Sequence, residues 1–294
     1  MIRRLRPELA LDCRVGLAEN PVWEVERGRL RFTDIYAGDI HWWDPDTDDR
    51  QTVHLDEHVG AAATRASGGL VLALETGFFT LADGETEPHL LAPLPEPEPG
   101  SRMRLNDGKT DRAGRFWAGS MTYDFREGAG SLFRVEPDGS LHEALPGVTI
   151  SNGLGWSLDD RALYYIDSTT RRVDCFDFDL ETGAIDRRRP FVTLVSGAAL
   201  PDGLAVDAEG CIWVALFRGS SVNRYTPDGA LDTVLELPTA HVTSCAFGGA
   251  KLDRLYVTTG LGPGMERSDD DPHAGSLFAI TPGCAGLPEP AFGG

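Results

Sequence analysis

The chain has 294 residues, 41% of them hydrophobic, enough to bury a large core, and an internal repeat favours one domain over residues 1–294 rather than two. A formal net charge of −19 excludes nucleic acid and an anionic membrane as partners, because a phosphate surface would be repelled; cation binding or plain solubility accounts for it. Five cysteines, odd in number, widely spaced and without a CxxC pair, exclude a zinc knuckle and a disulfide framework and fit a reducing cytoplasm.

In chain order, MIRRLRPELALDC carries basic residues without the apolar stretch of a secretion signal, and no later run is long enough to span a bilayer. Residues Glu8 to Cys13 form a short apolar strand ahead of the repeats. The repeats are GLAENPVWEVERGRLRFTD, GAAATRASGGLVLALE, RLNDGKTDRAGRFWAG, ISNGLGWSLDDRALYYID, LPDGLAVDAEGCIWVAL and VTSCAFGGAKLDRLYVTTG. Each runs from a polar or glycine-bearing turn through small or apolar residues to a second turn (Gly28, Gly69, Gly114, Asp160, Gly210, Asp253) and an aromatic strand. Their spacing, roughly forty to fifty residues, marks a repeat architecture. Period-two strands punctuated by Pro-Asp-Gly turns, without helix periodicity, predict an all-β chain. The reading is a six-bladed β-propeller of four-stranded antiparallel blades around a central channel, with the early strand pairing into the last blade to close the ring.

Two metal-like motifs fail on context. Asp44 to Asp49 resembles a calcium loop but lacks the glycine at its sixth position and has Leu55 where the bidentate glutamate should stand, so a solvated hairpin turn is expected. His54-Leu55-Asp56-Glu57-His58 matches a zinc-peptidase pattern that requires a helix, and here it lies between strands. The second repeat, with Gly60-Ala61-Ala62-Ala63, supplies wall rather than chemistry. The stiff spacer Leu94 to Gly100 then delivers the chain to Arg104 and Asn106. Glycine-bearing insertions at 122–130 and 260–275 are candidate lids.

Because the innermost strands of a propeller begin near one end of the channel, equivalent repeat positions form a ring: Glu19, a small residue near Gly60, Asn106, Asn152, Asp202, and Thr243 or Ser244. Two carboxylates and two amides converging on an axis are costly without a cation. Oxygen ligands of this kind suit Ca²⁺, Mg²⁺ or Mn²⁺, with Zn²⁺ possible. Arg104, one strand alternation before Asn106, is expected to point to the same channel mouth. No Gly-x-Ser-x-Gly elbow exists, since residues 155–159 fail at the last place, so a serine nucleophile is not expected.

On Glu19 to Glu24, Arg104 to Lys109, Ala118 to Met121, Ile150 to Leu154, Tyr164 to Ser168, Pro201-Asp202-Gly203, Ala208-Glu209-Gly210 and Thr243 to Gly249, the chain resembles the SMP-30/regucalcin and gluconolactonase family over nearly its whole length. The resemblance implies one divalent cation, calcium first, held by Glu19, Asn152 and Asp202. It also implies that Arg104 and Asn106 contact substrate, and that sugar lactones are hydrolysed to aldonic acids. Ala18-Glu19-Asn20-Pro21 departs from the family's Gly-Glu-Ser-Pro, and Asp124 stands where animal members carry a substrate-binding glutamate. On this reading Asp202 or a metal-bound water supplies the base and nucleophile, Arg104, Asn106 and Asp124 hold ring hydroxyls, and Lys109 lies behind the ligands. The rival readings are a propeller aryl-ester or organophosphate hydrolase and a calcium-binding propeller without turnover. The expected partner is a small sugar lactone, and no oligomeric state is implied.

Overall fold

Strand after strand alternates apolar with small or polar residues, and the turn chemistry between them decides where each strand stops. The carboxylate of Asp111 accepts hydrogen bonds from the backbone N–H groups of Ala113 (2.9 Å) and Arg115 (3.1 Å) and from the indole N–H of Trp117 (2.9 Å). One turn therefore ties the end of an innermost strand to the aromatic strand that follows. Asp207 repeats the device with Glu209, Cys211 and Trp213, each at 3.0 Å. Trp117 and Trp213 are fully buried between blades. Losing either ring would cost about 3–5 kcal/mol.

The computed structural model describes residues 1–194, 197–261 and 268–294. Among these, the only helical element is the single 3₁₀ turn Ser168–Thr170. Among the described residues no helix is long and apolar enough to cross a membrane. Six sheets, each with four antiparallel strands and one with an added fifth, stand in a ring as the blades of a propeller. Their innermost strands are Ala18–Glu24, Ala61–Thr64, Met103–Thr110, Ser151–Trp156, Leu200–Val206 and Val242–Gly248. The core lies between blades, as where Val71 and Phe78 of blade 2 meet Phe116 and Phe133 of blade 3.

The ring closes as expected: Glu8–Leu11 pairs antiparallel with Leu277–Ile280 as the outer strand of blade 6. A further strand that no repeat announces, Arg3–Leu5, lies parallel against Leu231–Glu236 and gives blade 5 a fifth strand. The C-terminal segment also follows a path that no repeat announces. Its backbone bonds to first-to-second-strand turns around the ring, with Ala208 donating to Ala285 (2.8 Å), Phe292 to Thr64 (2.8 Å) and Gly293 to Gly114 (2.9 Å). Those turns lie at the end of the channel where the innermost strands finish, so the tail covers that end. The opposite end stays open.

Candidate active site

Five of the six innermost strands carry an irregularity in their pairing, at Glu19/Val22, Leu105/Gly108, Ser151/Leu154, Pro201/Leu204 and Val242/Ser244. The residues inside four of these breaks, or at their edge, are Glu19, Asn106, Asn152 and Asp202. A bulge re-aims a side chain that regular pleating would hold against the neighbouring strand. The innermost strand of blade 2 pairs without a break and brings no polar group to the axis, in keeping with its reading as wall. Glu19, Asn106, Asn152 and Asp202 are all buried, and together with Arg104 they line one cavity of about 320 Å³ at the open end of the channel.

A continuous hydrogen-bond path crosses three blades. Arg104 Nη1 donates to Asn106 Oδ1 (2.6 Å) and to the carbonyl of Leu105 (3.1 Å). Asn106 Nδ2 donates to the carbonyl of Ser151 (2.6 Å) and to Asn152 Oδ1 (3.0 Å), Asn152 Nδ2 to Ser168 Oγ (2.8 Å), and Ser168 Oγ to the carbonyl of Pro201 (2.7 Å). Ser168 spends its one proton on Pro201 and must accept from Asn152. That fixes the Asn152 amide with its oxygen on the other side, available to a cation. The motif Tyr164 to Ser168 does not by itself show this role of Ser168, which depends on a carbonyl of the neighbouring blade.

The carboxylates lack such satisfaction. Glu19 Oε2 accepts one backbone bond, from Asn20 (3.1 Å), and Asp202 Oδ1 is buried without a partner among the described residues. Burial, reinforced by the like charge of Asp107, pushes Glu19 up to about 8. Burial and then the charges of Glu19 and Asp107 push Asp202 well above the ordinary carboxylate range, against the pull of Arg104. Asp107 is raised chiefly by burial, with Lys109 opposing. Carboxyls pushed up by each other and by burial, beside an amide oxygen of fixed orientation, fit a divalent cation. Among the described residues no three His, Cys, Asp or Glu side chains group closely enough to hold a metal. Oxygen-only donors suit Ca²⁺, Mg²⁺ or Mn²⁺ better than Zn²⁺.

Not every expected residue arrives here. Asp124 is exposed and does not line the cavity; Phe125 does, at a left-handed φ of 55°. The strand ends at Thr122, whose carbonyl and hydroxyl accept from the N–H groups of Phe125 (3.1 Å) and Arg126 (2.9 Å). The chain turns before the strand alternation can carry Asp124 inward. Thr243 is also withdrawn, its hydroxyl donating to the carbonyl of Ala18 (2.6 Å), and Ser244 packs where Gly203 leaves room. Lys109 lines a separate cavity, donates to the carbonyl of Leu204 (3.1 Å) and lies 3.9 Å from Glu289 of the tail. Asn20, in the left-handed conformation (φ 44°), accepts from the N–H of Ala62 (2.9 Å) and donates to the carbonyl of Gly108 (2.9 Å), linking blades 1, 2 and 3. The two motif histidines go separate ways, His54 to Asp39 (2.8 Å) and His58 to the hydroxyl of Tyr123 (2.5 Å). The insertion at 260–275 lies partly outside the described residues, at 262–267.

Residues 17–260 match the model of the SMP-30/Gluconolactonase/LRE-like region. Regucalcin of Xenopus laevis is 39% identical over 299 residues, covering 97% of this chain and 99% of that protein. The crystal structure of regucalcin from Agrobacterium tumefaciens, described as a calcium-binding protein, superposes with a TM-score of 0.91 at 25% identity, covering 99% of each chain. A luciferin-regenerating enzyme superposes with a TM-score of 0.87 at 31% identity, covering 98% of this chain and 99% of that one. The chain belongs to the SMP-30/gluconolactonase/LRE-like family.

Proposed function

We propose that this family member is a divalent-cation-dependent lactonase, which opens aldonolactones such as gluconolactone or pentonolactones to aldonic acids. The observation that carries the reading is the buried carboxylate oxygen of Asp202, without a partner among the described residues, in one cavity with Glu19, Asn152, Asn106 and Arg104. Glu19, Asn152 and Asp202 would hold the cation, with calcium first among the candidates because every donor is oxygen. When bound it supplies Lewis-acid polarisation of the lactone carbonyl.

The remaining work falls to side chains. Asp202 Oδ1, without a donor among the described residues, takes the proton of the attacking water as the water oxygen bonds to the carbonyl carbon. The same proton passes to the ring oxygen as the ring C–O bond breaks, leaving a hydroxy acid. Asn106, its two amide N–H groups spent on Ser151 and Asn152, holds Arg104 in place through its oxygen, and Arg104 keeps further N–H groups for substrate oxygens. Fixed donors of this kind need no reorganisation when charge develops on the substrate.

A pH-indicator assay over a panel of aldonolactones tests the proposal, using chelator-stripped protein with and without Ca²⁺, Mg²⁺, Mn²⁺ and Zn²⁺. Acid release restored by a cation is expected, and Asp202→Ala is expected to lose cation binding and turnover together; an active, cation-free Asp202→Ala protein would sink the mechanism. The calcium-binding description of the Agrobacterium relative favours a second reading, a binding propeller without turnover. Tight calcium binding with no lactone opened would select it, and faster turnover of aryl or phosphate esters than of lactones would move the site to ester hydrolysis.

A further inference from the structure

The floor and walls of this cavity differ in chemistry. The floor is Glu19, Asn106, Asn152 and Asp202; apart from Arg104, Ser168 and Arg218 the rest of the lining is apolar, chiefly Tyr36, Met121, Phe125, Ile150, Leu200 and Phe217. These six side chains come from blades 1, 3, 4 and 5 or the segments entering them, so apolar surface surrounds much of the mouth instead of lying to one side. Two of them are exposed although large and apolar, Phe125 at 46% and Tyr36 at 42%. Phe125 also holds a left-handed backbone that its Cβ disfavours, and strain of this kind collects at ligand sites.

Few polar groups reach the wall, the charged ones being Arg104 and Arg218, whose guanidinium lies 6.0 Å from the Phe217 ring. Asp124 faces solvent, the Tyr123 hydroxyl donates to Glu75 (2.7 Å), and Arg104 lies near the rings of Tyr36 (5.6 Å) and Tyr123 (6.0 Å) with Nη1 committed to Leu105 and Asn106. A concave site with few polar groups on one side and exposed rings on the other matches an amphiphilic ligand.

Resting on the lactonase reading, we propose that the wall is a subsite for an apolar substituent, so that lactones bearing an alkyl or aryl group are preferred over the bare ring. The lactone carbonyl sits on the polar floor and the substituent lies against Phe125, Tyr36 and Phe217.

The test pairs turnover with binding. With Ca²⁺ present, γ-octalactone and γ-phenyl-γ-butyrolactone are expected to show kcat/KM about tenfold or more above γ-butyrolactone, the scale of two or three buried methylenes. Phe125→Ser and Tyr36→Ser are expected to collapse that ratio, while Phe125→Leu, which keeps apolar bulk, retains most of it. Calorimetry with 5-butyl-2-pyrrolidinone against 2-pyrrolidinone reads the wall without any ring opening. Lactams that bind alike, or a substituted-to-bare ratio that ignores both serine variants, overturn the subsite. A butyl lactam that binds more tightly, and loses the advantage in the serine variants, upholds it even if no lactone is opened with any cation, a result that overturns the lactonase reading alone.

Discussion

Glu19 sits at 5% exposure with a carboxyl whose pKa, in the cation-free chain, is pushed up from 4.5 to about 8 by burial and then by Asp107. The native state therefore keeps a proton that the unfolded chain releases near its ordinary value. From about pH 4.5 to about pH 8 the stability of the cation-free protein falls as pH rises, because over that window the native state binds more protons than the unfolded one. A cation reverses the preference, since a ligand carboxyl must be ionised and binding expels the proton. For one expelled proton the dissociation constant for Ca²⁺ is expected to drop about tenfold per pH unit up to pH 8 and then level off. Calorimetric titration across that range, in buffers of different ionisation enthalpy, measures both affinity and proton release; an affinity flat in pH would contradict the assignment. At this scale Glu19, Asn106, Asn152 and Asp202 were readable because each occupies the same place in its repeat. Asp124 and Lys109 were not, because one depends on where a loop turns and the other on a tail that only the fold brings beside it.

The element that makes the site is the broken innermost strand, together with the close approach of each such strand to the next. Gly60 shows how little room is left: an added Cβ would stand 2.2 Å from the carbonyl oxygen of Asn106 and 2.5 Å from that of Leu105. Backbone would have to move, so Gly60→Ala is expected to cost about 1–3 kcal/mol and to displace Asn106, lowering turnover as well. Gly28→Ala provides the comparison, with positive φ but nothing within 4 Å, and is expected to cost about 1 kcal/mol without touching the site. Urea melts and lactone assays on both variants separate packing from backbone conformation; equal effects on activity would refute the argument. The strands were legible from period two and turn residues. The breaks were not, since pairing register belongs to two strands at once.

Across the whole molecule the ring depends on its first residues and its last. Glu8–Leu11 completes blade 6, Arg3–Leu5 extends blade 5, and Phe292 is buried against blades 2 and 3. Removing residues 2–11 bares the edge of Leu277–Ile280 and uncovers the apolar contacts of Leu11. The truncated protein is expected to melt about 5 °C or more below the full chain in differential scanning calorimetry, the scale of a loss of a few kcal/mol in a chain of this size. An unchanged melting temperature would mean that the closing strand is dispensable.

The sequence by itself determined the all-β repeat, six blades, the closing strand and the four polar side chains on the axis, because hydrophobic period, turn chemistry and repeat position are local properties. Only the tertiary structure decided that Phe125 rather than Asp124 faces the cavity, that Ser168 orients Asn152, that Lys109 belongs to Glu289 at the covered end, and that the mouth is lined by rings. Each of these depends on which residues from distant blades meet across the channel, and contacts over such separations are made by packing rather than by local pattern.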